Sequence, residues 1–305
     1  MFAGFDTSNY TTSLAIFENE KIENKKIMLR VKSGERGLRQ SDAVYQHTVN
    51  IPELISELDF SNLEAVGVSV RPRNTQGSYM PCFLVGRDNA LALAKGAGVK
   101  IYETSHQVGH ILAALYSCDK VDLIKREFIA FHLSGGTTEA LLVKPDKNDI
   151  IKTEIVSESL DLKAGQAVDR TGVLLGMNFP CGKELDELSK ISSADFRIKP
   201  TIINGNCSMS GVENKVKQMI ERNKAKEDIA KFALSIISET VLSMLDIIIE
   251  KYGDLPIVFS GGVSSNSLLR KTVLNKYDAY FAEPEFSLDN AAGLALYAKL
   301  KSEEI

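Results

Sequence analysis

The sequence predicts an α/β protein with two similar lobes, and three stretches of the chain indicate this. Each half contains a predicted hairpin whose turn is rich in small hydroxyl residues, over residues 2–17 and 127–143. Near the end of the chain, a predicted strand runs directly into Gly261-Gly262 and a helix. Turns of small residues expose backbone N–H groups that bind anions. We therefore expect two related domains, each with an anion-binding turn.

Length and composition are those of an ordinary globular protein. The 305 residues suffice for two domains with their own cores. A net charge of -4 gives no general attraction to nucleic acid, so such binding would need a local basic patch. The four widely spaced cysteines indicate reduced thiols in a cytoplasmic chain. Because polar residues interrupt the longest apolar run, and a strand is predicted at once, we expect no membrane span and no signal peptide.

The first half begins with a hairpin whose turn contains Asp6-Thr7-Ser8, which alone resembles any polar turn. The basic stretch over residues 21–39 is typical of a solvated strand edge. A helix over 43–58, a buried strand over 63–70 and a helix over 83–97 are predicted next. Between the last two lies the loop Arg71 to Gly77, whose two arginines could clamp a carboxylate or phosphate, although exposed loop arginines are common.

The most informative stretch is His106-Gln107-Val108-Gly109-His110, which opens an apolar helical run. Histidines four residues apart lie on one face of a helix, so both imidazoles can bind one metal ion. Two nitrogen ligands suit zinc or iron, with a third ligand from elsewhere. A zinc protease needs a glutamate base where Gln107 stands, so a metalloprotease is disfavoured. The alternative is that His106 caps the helix and His110 is a partly buried, hydrogen-bonded side chain.

The second half repeats this organisation. A strand over 127–133, the turn Ser134-Gly135-Gly136 and a returning strand over 139–143 form a better phosphate cradle, because glycine permits close backbone approach. A helix over 162–175 and a long amphipathic core helix over 226–251 follow. The late Gly261-Gly262 is a natural seat for a nucleotide's ribose or base. Asp289 opens the last helix, as a third metal ligand or as its N-cap.

These elements resemble the two-lobed ATPase fold of actin, Hsp70 and the sugar kinases, which is built from duplicated ribonuclease-H-like domains. More specifically, the chain resembles the tRNA N6-adenosine threonylcarbamoyltransferase family (TsaD, once named O-sialoglycoprotein endopeptidase). The motifs that carry the resemblance are Asp6-Thr7-Ser8, His106-x-x-x-His110, Ser134-Gly135-Gly136, Ala164-Gly165 through Asp169, Gly261-Gly262-Val263-Ser264 with Asn266, and Asp289-Asn290. We therefore expect an N-terminal lobe over 1–104, with helix 289–305 packing back on it, and a C-terminal lobe over 105–288.

The resemblance implies a function and its site residues. One iron or zinc ion would be bound by His106, His110 and Asp289, and Asp6 and Asp169 would be catalytic. An adenine nucleotide, threonylcarbamoyl-AMP or ATP, would be bound by His132, Leu133, Ser134, Gly135, Gly136, Asp169, Gly182 and Asn266. The enzyme would transfer threonylcarbamoyl to N6 of adenosine 37 in tRNAs that read ANN codons, assisted by the metal. The implied partners are tRNA, and TsaB-like and TsaE-like subunits or a second copy of the chain.

The sequence departs from the family mainly where the ligand is expected to bind. The family's Ser-Gly-Gly-His ends in Thr137 here, its Gly-Pro-Gly loop reads Arg71-Pro72-Arg73, and its Asp-Asp-Ala-Ala-Gly-Glu reads Asp161-Leu162-Lys163-Ala164-Gly165-Gln166. Fewer carboxylates leave fewer groups able to act as base. Two alternatives therefore stay open. One is a paralogue with altered or lost catalysis that acts as a nucleotide- and metal-binding partner protein, and the other is a carbamoyl or acyl transferase acting on a small molecule.

Overall fold

The chain forms two compact α/β units in a computed structural model that describes residues 1–8, 10–31, 38–75, 77–287 and 291–303. The first unit comprises Met1–Ile124, Pro145–Lys152 and Leu288–Ile305, and the second comprises Lys125–Lys144 and Thr153–Ser287. The sequence predicts a first lobe that ends at residue 104. The first unit instead continues to Ile124 and so includes the helix with the paired histidines, because that helix packs on the C-terminal helix of the same unit.

The first unit is built on a five-stranded sheet in the order β3-β2-β1-β4-β5. Its strands are β1 (Phe2–Asp6), β2 (Thr11–Glu18), β3 (Lys21–Met28), β4 (Ala65–Arg71) and β5 (Lys100–Ser105). Its helices include α1 (Gln40–Ser56), α2 (Phe83–Ala97) and α3 (His106–Ser117). Strand β1 is antiparallel to β2 and parallel to β4, which is parallel to β5. The carboxyl ends of β1, β4 and β5 therefore meet at one edge of the sheet.

The second unit repeats this topology in the order β12-β11-β6-β7-β8. Its strands are β6 (Phe128–Leu133), β7 (Thr138–Asp146), β8 (Ile150–Glu158), β9 (Thr201–Ile203), β10 (Asn206–Ser208), β11 (Ile257–Ser260) and β12 (Ala279–Phe281). Its helices are α4 (Ala164–Leu174), α5 (Gly182–Ile191), α6 (Gly211–Glu221), α7 (Lys226–Tyr252), α8 (Ser267–Leu274) and α9 (Pro284–Ser287). Strand β6 is antiparallel to β7 and parallel to β11, as β1 is to β2 and β4. The predicted duplication is confirmed.

The chain returns to the first unit with the C-terminal helix α10 (Ala291–Glu303). Glycines allow this helix to lie directly on the sheet and on α3. A Cβ at Gly4 would lie 2.0 Å from the Ala291 carbonyl oxygen, and one at Gly293 would lie 1.9 Å from the Gly109 carbonyl oxygen. On the opposite face of the sheet, Phe5 and Val68 pack in the core with α1 and α2. Strand alternation thus separates a face of large apolar side chains, which packs on α1 and α2, from a face with glycines, on which α10 lies.

Helix α7 is the one described helix that is long and apolar enough, by length and composition, to cross a membrane. More than half of its most apolar window is buried, with residues such as Val241 and Leu245 in the core of the second unit. A core helix of a globular domain passes the same test. The helix therefore has the packing that its amphipathic pattern predicts.

Candidate functional site

Polar side chains gather at the carboxyl edge of the parallel strands in the first unit. Asp6 ends β1, Ser69 lies near the end of β4, and His106 directly follows β5. The Asp6 carboxylate, which is 1% exposed, accepts hydrogen bonds from Ser8 Oγ at 2.8 Å and from Ser69 Oγ, and it lies 3.2 Å from His106 Nδ1. Ligands commonly bind at this edge of parallel α/β sheets.

These contacts set the ionisation of Asp6. Burial opposes ionisation, but the charge of His106 and the hydrogen bonds from His106, Ser69 and Ser8 outweigh it and lower the pKa of Asp6 to about 2. Asp6 is thus a carboxylate at neutral pH and a poor proton acceptor. Because it faces Nδ1 of His106, it orients the ring so that Nε2 is the nitrogen that can bind a ligand.

The two predicted metal-binding histidines lie side by side on α3. Ser105 caps this helix by accepting a hydrogen bond from Val108 N at 3.3 Å. The ring centroids of His106 and His110 are 4.6 Å apart, with an angle of 68° between the rings. With Asp6 behind His106, this donor set fits part of a zinc or iron site. Asp289 lies outside the described residues, and within them there is no group of three or more His, Cys, Asp or Glu that could hold a metal ion.

Thr7, the next residue of the first turn, forms hydrogen bonds with backbone groups of the same unit. Thr7 Oγ1 donates to the Cys82 carbonyl oxygen at 2.9 Å and accepts from Gly86 N at 3.0 Å, which ties the turn to α2. The loop with the two arginines is also held in place. Arg71 Nε donates to Asn74 Oδ1 at 3.0 Å, and Gln107 N donates to the Pro72 carbonyl oxygen at 3.1 Å.

The turn between β6 and β7 in the second unit differs from the turn after β1, because it is closed by its own residues. Ser134 Oγ accepts from Thr137 N at 3.1 Å and so closes the turn. A Cβ at Gly135 or Gly136 would meet no atom within 4 Å, and neither residue has a left-handed backbone conformation. By contrast, a Cβ at Gly165 would lie 2.5 Å from Gly135 N. The fold therefore requires glycine at position 165 but not at 135 or 136, where a ligand could approach the backbone.

The other predicted nucleotide-binding residues also lie in the second unit. Leu133 is buried at the end of β6, and Gly182 opens α5 and is exposed. Asp169 on α4 accepts a hydrogen bond from Cys181 N at 2.9 Å, and burial raises the pKa of Asp169 despite that bond. Asn266 accepts from Leu269 N at 2.9 Å as the N-cap of α8, and its Nδ2 donates to Asp186 Oδ1 at 2.7 Å.

Strand register brings together three polar residues that the sequence does not group. His132 on β6 is paired with Glu139 on β7 and with Ser260 on β11, and His132 Nδ1 lies 3.1 Å from Ser260 Oγ. Sequence reasoning identifies His132 only through the family resemblance, and it misses Glu139 and Ser260. A polar residue within an otherwise apolar strand was the available signal, but only the register shows that the three are neighbours.

Asp161 has a structural role in the second unit. Its carboxylate accepts from Ser208 Oγ and Leu162 N at 2.6 Å, from Met209 N at 2.8 Å and from Ser210 N at 3.3 Å. Burial opposes ionisation, but these hydrogen bonds outweigh it and hold the pKa of Asp161 well below its usual range. The role of this carboxylate is to fix the connection between β10 and α6.

Solved structures share the fold of this chain. Component A of the (R)-2-hydroxyglutaryl-CoA dehydratase from Acidaminococcus fermentans matches with a TM-score of 0.57 and 16% identity, covering 99% of this chain and 98% of that one. HypF from T. kodakarensis matches with a TM-score of 0.61 and 12% identity, over 99% and 47% of the chains. A ROK family glucokinase from Streptomyces griseus gives 0.53 and 12%, over 98% of each chain. The fold is that of the actin, Hsp70 and sugar-kinase class of ATPases, as predicted.

Sequence comparison identifies the family within that class. The model of the family TsaD, tRNA N6-adenosine threonylcarbamoyltransferase, matches residues 22–296. A relative of this name from Thermosipho africanus is 28% identical over 96% of this chain and 92% of its own length. Another from Kosmotoga olearia is 29% identical over 96% and 90%. The chain belongs to the tRNA N6-adenosine threonylcarbamoyltransferase family, which confirms the resemblance.

Proposed function

We propose that the protein transfers a threonylcarbamoyl group from threonylcarbamoyl-AMP to N6 of adenosine 37 in tRNAs that read ANN codons. The observation that carries this proposal is the turn at Ser134-Gly135-Gly136, whose two glycines have open space that the fold does not need. Backbone N–H groups of such a turn suit the phosphate of an adenylate. In a member of this family, that adenylate is the activated form of the group to be transferred.

The adenylate would be held entirely by residues of the second unit. The proposed set is His132, Leu133, Ser134, Gly135, Gly136, Asp169, Gly182 and Asn266. Asp169 has one oxygen bound to Cys181 N, and its carboxylate can accept hydrogen bonds from ribose hydroxyls. Because Asn266 already caps α8 and binds Asp186, its contribution would be to hold the start of α8 in place beside the nucleotide.

One divalent ion, iron or zinc, would be held by His106 and His110, with Asp289 as the expected third ligand. When bound, the ion supplies Lewis acidity that polarises the carbonyl group under attack. The contribution of Asp6 is positional, since it fixes the orientation of the His106 ring and is a poor base. Asp6 would therefore act through His106 and not on the substrate.

Two observations favour a second candidate, a partner protein that binds nucleotide and metal without catalysis. The Asp161 carboxylate already accepts hydrogen bonds from several groups of the protein, and Leu162, which replaces a family aspartate, is 7% exposed. Neither residue can offer a carboxylate to a ligand. Under either candidate, the protein would work in the cytoplasm with tRNA, and with TsaB-like and TsaE-like subunits or a second copy of itself.

Reconstituted tRNA modification tests the proposal. The purified protein is incubated with tRNA, threonine, bicarbonate, ATP and the adenylate-forming enzyme, and modified adenosine is measured by mass spectrometry of the nucleosides. We expect modified adenosine from the wild-type protein. If the protein binds AMP but makes none, while a relative from Thermosipho africanus is active in parallel, the partner-protein candidate is favoured instead.

The metal is tested separately from activity. We expect the purified wild-type protein to contain about one equivalent of iron or zinc, and the His106→Ala, His110→Ala double variant to contain very little, because two of the expected ligands are lost. A variant of an exposed ion pair of the same unit, Arg87→Met, is the matched control and should keep its metal. Equal metal contents in all three proteins would contradict the assignment.

A further inference from the structure

We propose that His132 is the general base that removes the proton from the acceptor amine, and that Ser260 and Glu139 position it. This inference rests on the proposed function, because it names the proton acceptor of that reaction. The carboxylates of Asp6 and Asp161 are ionised and already accept hydrogen bonds from the protein, so both are poor bases. The reaction nevertheless releases a proton, so another group must accept it.

Register places these three side chains in one row. His132 on β6 is directly opposite Glu139 on the antiparallel strand β7 and is paired with Ser260 on the parallel strand β11. Directly paired residues point to the same face of a sheet, within contact distance of each other. Glu139 is 3% exposed and Ser260 is 6% exposed, so both flanking groups are buried, whereas His132 is only partly buried.

The hydrogen bonds of Ser260 determine which ring nitrogen of His132 carries the proton. Ser260 Oγ lies 3.2 Å from the Phe131 carbonyl oxygen, which can only accept, and 3.1 Å from His132 Nδ1. A hydroxyl has one proton, and both contacts are hydrogen bonds only when Ser260 donates it to Phe131. Nδ1 of His132 must then be protonated and donate to Ser260. In this tautomer Nε2 carries the lone pair of a base.

His132 is close to where the adenylate would be bound. It precedes the turn Ser134-Gly135-Gly136 by two residues, at the carboxyl end of β6. The neighbouring strand β11 ends at Ser260, and Gly261 then passes so close to β6 that a Cβ there would lie 2.3 Å from the Leu133 carbonyl oxygen. The row is therefore at the sheet edge that also presents the anion-binding turn, which is where reacting groups are expected.

The proposed step balances without any further reactant. The amine nitrogen bonds to the carbamoyl carbonyl carbon, the bond from that carbon to the phosphate oxygen breaks, and AMP leaves with its electron pair. Nε2 of His132 takes the proton from the amine and becomes part of an imidazolium. Glu139, directly opposite His132 on β7, would stabilise this cation as a carboxylate, in the way that a buried acid supports a catalytic histidine.

Paired substitutions at His132 test the inference. His132→Ala removes the ring, whereas His132→Asn introduces an amide that retains a donor near the position of Nδ1 but has no base. We expect kcat to fall by about 100-fold to 10,000-fold in both variants. Added imidazole should restore activity to His132→Ala alone, because only that variant has space for it. Full activity in either variant, or no rescue where AMP still binds, would overturn the assignment.

Nitrogen NMR of the His132 ring gives a readout that does not depend on activity. We expect the Nδ1–H tautomer in the wild-type protein and its loss in Ser260→Ala, with a conservative Ser260→Thr variant retaining it. If the wild-type protein binds AMP but makes no modified adenosine, the proposed function fails, and this measurement still decides the positioning. An Nε2–H tautomer in the wild-type protein would refute it.

Discussion

The turns that follow β1 and β6 occupy the same place in the two repeats but are used in different ways. In the first unit, Asp6 and Thr7 bind other groups of the protein, and the turn fixes the orientation of His106. In the second unit, Ser134 closes the turn and two glycines leave its backbone open. One topology thus provides a rigid support for the paired histidines in one repeat and a turn with an open backbone in the other.

The largest effect should come from removing the carboxylate in the first turn. Asp6→Ala leaves Ser8, Ser69 and His106 without their shared acceptor, so we expect the free energy of unfolding to fall by about 3–5 kcal/mol. The matched change in the second turn, Ser134→Ala, removes one hydrogen bond and should cost about 1 kcal/mol. Urea unfolding of the two variants measures both. Similar losses of unfolding free energy in the two variants would contradict the proposed difference between the turns.

A pH-dependent effect on stability should come from His47 in the first unit. His47 on α1 is fully buried, and its Nδ1 lies 2.8 Å from Thr12 Oγ1. Burial lowers the pKa of His47 from 6.5 to about 4, against the opposing effects of the Asp6 charge and the Ser8 backbone.

The direction in which stability changes with pH follows from proton binding at His47. The unfolded chain binds a proton at His47 between pH 6.5 and 4 and the folded protein does not, so this stability is present above pH 6.5 and is lost as pH falls through 4. At about 1.4 kcal/mol per pKa unit, the loss is about 3 kcal/mol. We expect His47→Gln to flatten the stability curve in this window relative to the wild type. Parallel curves for the two proteins would refute the assignment.

Alanine substitutions at glycines of the second unit separate structural from ligand-binding glycines. Gly165→Ala forces a Cβ against the backbone of Gly135 and should cost about 1–3 kcal/mol. Gly135→Ala has open space and should change stability by less than about 0.5 kcal/mol. AMP affinity measured by calorimetry should nevertheless fall by about 10-fold or more in Gly135→Ala, because the methyl group occupies ligand space. Unchanged AMP affinity would remove the main support for the proposed function.

Local spacing in the sequence suffices to predict several features of the fold and the candidate site. Histidines 106 and 110 share a helix face because four residues make about one helical turn, and the structure places their rings side by side. The glycine pair between two predicted strands likewise indicates the open turn. The repeat of hairpin, turn and helices predicts the duplicated fold. Each of these inferences depends on residues that are neighbours along the chain.

Contacts between distant segments are decided by the tertiary structure. The row Glu139, His132 and Ser260 exists because strand register aligns three strands, and a shift of one residue would turn each side chain to the other face. The bond between Asp6 and His106 joins residues one hundred positions apart at the edge of a sheet. The assignment of α3 to the first unit depends on the glycine contacts with α10. Sequence patterns specify which side chains can react, whereas packing and register specify which of them meet.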